Sequence, residues 1–308
     1  MPFPVALDST MLSAYKNCPT SFKNAHIRQL KLQGQSIHLH AGGTFASGLE
    51  AGRRAFYIEG KGQKEAELIG LAALEQAYGD FECPQGSVKT LDRMLGALEF
   101  YYENYPFSTD PAQVARLSPG VWGVEFSFAI PLPFLHPDTG NPLLFAGRAD
   151  AVVNYANGLY ILDEKTTSQL GPSWSRQWDL RSQFTAYAWA LRHLGLTPAG
   201  SIVRGISILA ESKTGKPKKL YETQRAIVGQ PQWKIDRWEK EMHRTVSQML
   251  TDYKKDDFGY DLGDACNSYG GCSFKTLCSN KDQEPWVKTF YEKNEWSPLT
   301  KLIKVEAK

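Results

Sequence analysis

Apolar positions along the chain recur first at helical spacing and then in alternation. Asp8, Ser9 and Thr10 are candidate N-caps ahead of Met11, Leu12, Tyr15 and Cys18, and Pro19 stops the run, so a short helix ending in a cysteine is predicted. Thr44 to Ile58 carries apolar positions at Phe45, Leu49, Ala55 and Phe56, and two further amphipathic stretches cover Lys64 to Tyr78 and Val88 to Tyr105. The period changes to two in "GVWGVEFSFAIPL", and a hairpin over Leu144 to Thr166 follows, with Asn157-Gly158 as its turn signal. Helical spacing returns in "WSRQWDLRSQFTAYAWALRHLG" through Leu180, Phe184, Tyr187, Ala188 and Leu191, ending at Gly195. "SIVRGISILA" and "KKLYETQRAIV" read as strands on either side of the basic loop "ESKTGKPKK", and a long helix spans Gln232 to Tyr253. The tail "DACNSYGGCSFKTLC" is turn-rich and too short to own a core.

This order predicts the α/β class, with a mixed sheet core flanked by helices, a helical N-terminal subregion and a stapled C-terminus. Without repeats or low-complexity linkers, residues 1–308 are expected to form one domain. Its parts are an N-terminal segment over 1–40, a helical subregion over 41–120, a core over 121–255 and a C-terminal segment over 256–308.

Composition narrows this little: 42% hydrophobic and 22% charged residues are those of an ordinary globular protein, and a formal net charge of +2 excludes a heavily basic nucleic-acid coat. No apolar run approaches the roughly 20 residues that span a bilayer, and the first residues lack the basic and apolar regions of a signal peptide. A cytoplasmic protein without a membrane partner is expected. Five cysteines, an odd number, argue against a disulfide framework and leave metal binding or burial.

The hairpin carries the chemistry. With Asn157 and Gly158 as a two-residue loop, Asp150 would face Lys165 and Val152 would face Asp163. Asp163 and Lys165, two apart, share that face, so three charges converge while Glu164 points away. Two carboxylates so close repel, and a hard divalent cation such as Mg²⁺ removes the conflict while keeping several waters. A neighbouring lysine can orient or deprotonate a water that the metal has acidified, which suits phosphodiester hydrolysis. An isolated D…DxK is more often a surface ion pair on an exposed sheet edge, so its context has to decide.

"GRAD" followed by "ILDEKT" on the next strand resembles the active-site motif of the PD-(D/E)xK nuclease superfamily, and "QFTAY" in the following helix is similar to the QxxxY motif of its RecB-like branch. The resemblance implies a restriction-endonuclease-like core, with Asp150 and Asp163 as metal ligands and the Glu164 backbone carbonyl as a further one. It implies that Lys165 is catalytic and that Gln183 and Tyr187, four apart on one helix face, support the site or contact DNA. RecB-like enzymes carry a histidine in a pattern such as GTxxHxxLE, where "GTFASGLE" here presents Ser47. Glu50 from the same helix could supply a metal-binding carboxylate instead, and Glu125 is another candidate; each can also be a solvated charge.

Cys266, Cys272 and Cys278 follow a C-x5-C-x5-C spacing, and Cys18 in "SAYKNCPTSFK" resembles the N-terminal cysteine motif of the iron-sulfur members of this superfamily, among them CRISPR-associated spacer-processing exonucleases and phage-borne relatives. That layout implies a [4Fe-4S] cluster. A four-cysteine zinc site and independent buried thiols are the alternatives, and Cys83 has no partner in this pattern.

Arg148, Arg176, Arg181, Lys213, Lys216, Lys218 and Lys219 could track phosphates, although the lysines can equally be a solvated turn. Trp174 and Trp178 could stack on bases, with core packing as the other reading; His38 and His40 are left outside the site. Together these point to a metal-dependent DNA exonuclease using Mg²⁺ or Mn²⁺ on single-stranded DNA or DNA ends, in recombination, repair or CRISPR-type processing. Recombination or CRISPR-adaptation proteins would be its further partners. The alternative is a catalytically weak DNA-binding or adaptor module of such a complex.

Overall fold

The structure is a computed structural model and describes residues 1–34, 36–210, 219–267 and 271–300. The chain is a mixed α/β protein in two compact units: Met1–Gly34, Ser127–Arg148 and Gln232–Lys308 form one, and Gln35–Phe126 with Ala149–Pro231 the other. Strands β6 (Val124–Leu135) and β7 (Pro142–Tyr155) each pass from one unit into the other.

In the first unit, helix α1 (Ser9–Asn17) begins where sequence reasoning puts it, because the Asp8 carboxylate accepts from the Met11 N–H at 2.8 Å. Strand β1 (Ala6–Leu7) pairs in parallel with Leu144 and Phe145 of β7. Helix α8 (Gln232–Lys255) extends the predicted span by two residues and buries Ile235, Met242, Val246 and Met249 along one stripe. Strand β2 (Leu30–Leu32) pairs antiparallel with β11 (Tyr291–Lys293), and Leu30, Phe274, Leu277 and Tyr291 form a small core of their own.

The second unit holds a mixed sheet. Strand β3 (Gln113–Val114) pairs antiparallel with β7, β7 antiparallel with β8 (Gly158–Thr167), β8 parallel with β9 (Pro198–Ile208), and β9 antiparallel with β10 (Tyr221–Gly229). Helices α3 (Ile37–Arg53), α4 (Gln63–Tyr78) and α5 (Leu91–Asn104) share a core of Phe45, Leu49, Leu74, Leu98 and Tyr101. Their approach is close at Gly48, where a Cβ would lie 2.6 Å from Leu98 Cδ2 and 2.9 Å from the Gly70 carbonyl oxygen. Helix α3 starts seven residues before the predicted Thr44, because "IHLHAGG" joins it despite two poor helix formers; Arg54–Ile58 continues it as one π turn. Helix α7 (Ser182–His193) is buried on every side from Phe184 to Leu191.

The hairpin register differs from the sequence reading. Tyr155 pairs with Gly158 and Ala151 with Leu162, so the turn is Ala156-Asn157, with φ of 45° and 59°. Both angles are those a two-residue I′ turn requires. Gly158 is instead the first strand residue, where a Cβ would come within 3.1 Å of Ala199 Cβ and of the Tyr160 ring. Continuing this register sets Asp150 opposite Asp163 rather than Lys165. A slip of two residues keeps every side chain on its face, so the convergence of charges survives the change.

Among the described residues no helix is long and apolar enough to cross a membrane. Lys213, Lys216 and Lys218 lie outside the described residues; Lys219 is exposed.

Candidate active site

Strand alternation in β8 divides "DEK" between two faces. Asp163, 1% exposed, accepts from Gln183 Nε2 at 3.4 Å, and that amide also donates to Tyr187 Oη at 2.9 Å. Gln183 and Tyr187 of α7 therefore stand beside Asp163, one helical turn apart. The Lys165 ammonium lies 2.5 Å from Asp163 Oδ2, so this buried oxygen is held in a close ion pair with Lys165. Asp150 Oδ2 accepts from the Glu164 backbone N–H at 2.9 Å, which fixes one carboxylate of β7 against the backbone of β8.

The electrostatics follow from this crowding. Burial, and then the neighbouring Asp163 carboxylate, push Asp150 up to about 7. Burial pushes Asp163 up as well, against the pull of Lys165. For Lys165 burial works the other way, but Asp163 and Asp150 outweigh it and hold the ammonium above its ordinary value.

Asp150, Glu164 and Lys165 line a cavity of about 350 Å³ with the side of α3 that carries His38, Gly42, Ala46, Leu49 and Arg53. That stripe leaves Ser47 and Glu50 off the cleft wall. Ser47 Oγ donates to the Gly43 carbonyl 3.0 Å away, and its neighbour Ala46 lines the cleft. Glu125 also lines the cleft; it is buried, 4% exposed, with a left-handed φ of 48°, which argues against the solvated alternative. His38, left out by sequence reasoning, is exposed at the cleft, whereas His40 is buried and stacked on Phe81 at 4.0 Å.

Behind the cleft, sequence reasoning missed a buried polar network. Arg53 pairs with the Glu164 carboxylate through both terminal nitrogens, Tyr101 Oη donates to Glu164 Oε1 at 2.7 Å, and Arg204 donates to Tyr101 Oη at 3.0 Å. Arg204 also binds Asp110 at 2.6 Å and lies 3.9 Å over the Tyr105 ring. Burial alone would raise the Glu164 carboxyl, but Arg53 holds it below the ordinary range. Two signals were present: Arg53 continues the apolar stripe Phe45, Leu49 of α3, and Arg204 interrupts an apolar strand.

Arg176 and Arg181 are exposed and Arg148 is half-buried. Trp174 and Trp178 are each 6% exposed and pack edge to face at 5.5 Å, and Gly205 leaves room for the Trp174 ring, so both are core residues rather than open stacking platforms.

In the first unit, Cys18, Cys266, Cys272 and Cys278 line one cavity of about 770 Å³. All are free thiols, and burial, then the nearness of the other three, pushes Cys278 up. Leu277 and Phe274 anchor the segment between the last two, and Thr20 Oγ1 near Cys18 donates to the carbonyls of Phe258 at 2.9 Å and Gly259 at 3.0 Å. Cys83 lies in the other unit. Among the described residues, no three His, Cys, Asp or Glu side chains converge as a ready site for a single metal ion.

A mixed sheet with two acids and a lysine on adjacent strands defines a nuclease core. The chain belongs to the PD-(D/E)XK nuclease superfamily, whose family description matches residues 9–279. No curated protein matches it. Among solved structures it is similar to a candidate exonuclease from Eubacterium rectale, at 12% identity and a TM-score of 0.50, covering 86% of this chain and 88% of that one. SSO0001 is matched at 16% identity over 76% of this chain and 84% of that one, with a TM-score of only 0.29. At these identities the first likeness speaks for the fold alone.

Proposed function

We propose that this protein is a RecB-like, metal-dependent DNA exonuclease that hydrolyses phosphodiester bonds of single-stranded DNA or DNA ends. One observation carries the reading: Asp150 and Lys165 line a cleft on adjacent strands, Asp163 is buried against Lys165, and the Glu164 N–H holds Asp150. The carboxylates fit Mg²⁺ or Mn²⁺. Burial pushes both Asp150 and Asp163 toward their protonated forms, and the Asp163 carboxylate adds to the shift of Asp150, so a hard cation would relieve both. Two carboxylates completed by water make an arrangement that Mg²⁺ accepts.

Asp150 and Asp163 would hold the metal, which would supply an acidified water and neutralise charge developing on the phosphodiester. Gln183 holds Asp163 in place and is itself held by Tyr187. The Lys165 ammonium, one-third exposed at the cleft, is placed to orient the attacking water and to meet the phosphate's charge.

The four cysteines fit a [4Fe-4S] cluster. The four thiols line one cavity, and their C-x5-C-x5-C spacing with a distant Cys18 suits a cluster better than a lone zinc, whose sites more often use tight CxxC knuckles. This layout favours the iron-sulfur members of the superfamily and a place in recombination, repair or CRISPR-type DNA processing. Phosphodiester hydrolysis transfers no electrons, so the cluster's part is structural.

The test is digestion of 5′- and 3′-labelled single- and double-stranded oligonucleotides with Mg²⁺ or Mn²⁺ and a Lys165→Ala control. Metal-dependent shortening from an end, reduced about 10²–10⁴-fold in the control, is expected. Binding without degradation would favour the adaptor reading instead.

A further inference from the structure

We infer that Glu164, the middle residue of the Asp163-Glu164-Lys165 triplet, is a positioning residue: with Arg53 and Tyr101 it fixes the backbone that holds Asp150, and so sets the site's affinity for its divalent cation. The inference rests on the metal-dependent reading above.

Glu164's side chain is committed away from metal binding. Arg53 and Tyr101 between them occupy both of its carboxylate oxygens, and the side chain is 2% exposed. Its backbone N–H, on the other edge of the same residue, donates to Asp150 Oδ2 at 2.9 Å. One residue thus joins a rigid anchor to the first carboxylate. The anchor spans the unit: Arg53 comes from α3, Tyr101 from α5, and Arg204, which donates to Tyr101, from β9, where it pairs with Glu164 in the ladder. Arg53 also lines the cleft, so the helix that forms one wall is tied to the strand that carries the acids.

Stability alone does not account for this arrangement. A buried ion pair contributes little over apolar residues of similar volume, and replacing both partners is often neutral for folding, whereas removing one strands a buried charge. What apolar residues cannot supply is direction: two fixed carboxylate oxygens and a forked guanidinium hold β8 in one register and rotation. Partners of metal ligands typically change metal affinity or activity by about 10–100-fold when lost.

The experiment uses the full chain and Mn²⁺ alone as the probe. Arg53→Met/Glu164→Leu removes the pair together, and Tyr101→Phe removes one hydrogen bond to Glu164 should the double variant not fold. Mn²⁺ binding is measured by calorimetry and thermal unfolding by circular dichroism, with Asp150→Ala as the control that abolishes binding. Folded variants that bind Mn²⁺ about tenfold or more weakly, and whose cleavage recovers at high Mn²⁺, are expected. Tight, wild-type binding in a folded variant, or weakening matched only by lost structure, overturns the inference while the nuclease reading stands. Wild-type protein that binds no Mn²⁺ overturns both.

Discussion

At Asp150 a single carboxyl group ties folding to pH and, on the proposed function, would tie it to metal binding. Its value in the folded chain, about 7, lies above the ordinary 3.8, so the metal-free native state keeps a proton that the unfolded chain releases. The stability this group contributes is full below about 3.8 and is lost as pH rises through about 7; Asp163, also raised, acts in the same direction. Glu164, lowered by Arg53, has the opposite sign, but its contribution fades only as pH falls below its ordinary 4.5. The metal-free protein should therefore melt at a lower temperature at pH 8 than at pH 5.5, and Mn²⁺ at pH 8 should restore the difference. Thermal unfolding across this range tests the point, with Asp150→Asn expected to flatten the slope. A Tm that climbs with pH in the absence of metal would contradict the assignment of the raised group.

At the scale of elements, helix phase and strand register decide which residues meet. The α3 residues that line the cleft with Asp150 and Lys165 include Ala46 but not Ser47, so an imidazole added at Ala46 would face the cleft and one added at Ser47 would not. Calorimetry should find tighter Mn²⁺ binding for Ala46→His and none of that gain for Ser47→His. In the hairpin, Ala156 sits at φ 45°, which costs a non-glycine residue roughly 1–2 kcal/mol. Ala156→Gly should recover about 1 kcal/mol in chemical denaturation, whereas Gly158→Val should lose stability against Ala199 and Tyr160. These elements also mark how far the sequence could be read. The period-two hairpin, the helix carrying Gln183 and Tyr187 and the convergence of Asp150, Asp163 and Lys165 were legible, because alternation and i, i+4 spacing are local rules. The turn was misplaced by one residue because Asn-Gly is the stronger local signal, whereas the glycine here serves the strand, where Ala199, distant in sequence, leaves little room for a Cβ. Arg53, Tyr101 and Arg204 went unnoticed for the same reason. Each looks like an isolated charge or ring until three elements bring them together.

Across the whole molecule, the four cysteines come from positions separated by most of the chain, Cys18 ahead of the mixed sheet and Cys266, Cys272 and Cys278 after it, yet they line one cavity of the first unit. Around that cavity the apolar support is thin. The core beside the last two cysteines consists of Leu30, Phe274, Leu277 and Tyr291, and the segment from Asp257 to Cys266 holds no helix beyond one short 3₁₀ turn. Such a segment cannot bury enough surface to order itself, and a ligand bound by Cys266 together with Cys18, Cys272 and Cys278 would supply the missing free energy while closing a loop of some 250 residues. Removing one thiol should then destabilise this unit first. For Cys272→Ala purified without oxygen, loss of visible absorbance and of bound iron is expected together with a fall of about 5–10 °C in Tm. Limited proteolysis should cut first within residues 257–267. Cleavage of a short labelled oligonucleotide at saturating Mn²⁺ should continue in whatever fraction stays folded, because Asp150, Asp163 and Lys165 all belong to the other unit. A variant that keeps wild-type Tm and proteolytic resistance would show that these thiols do not staple the chain ends.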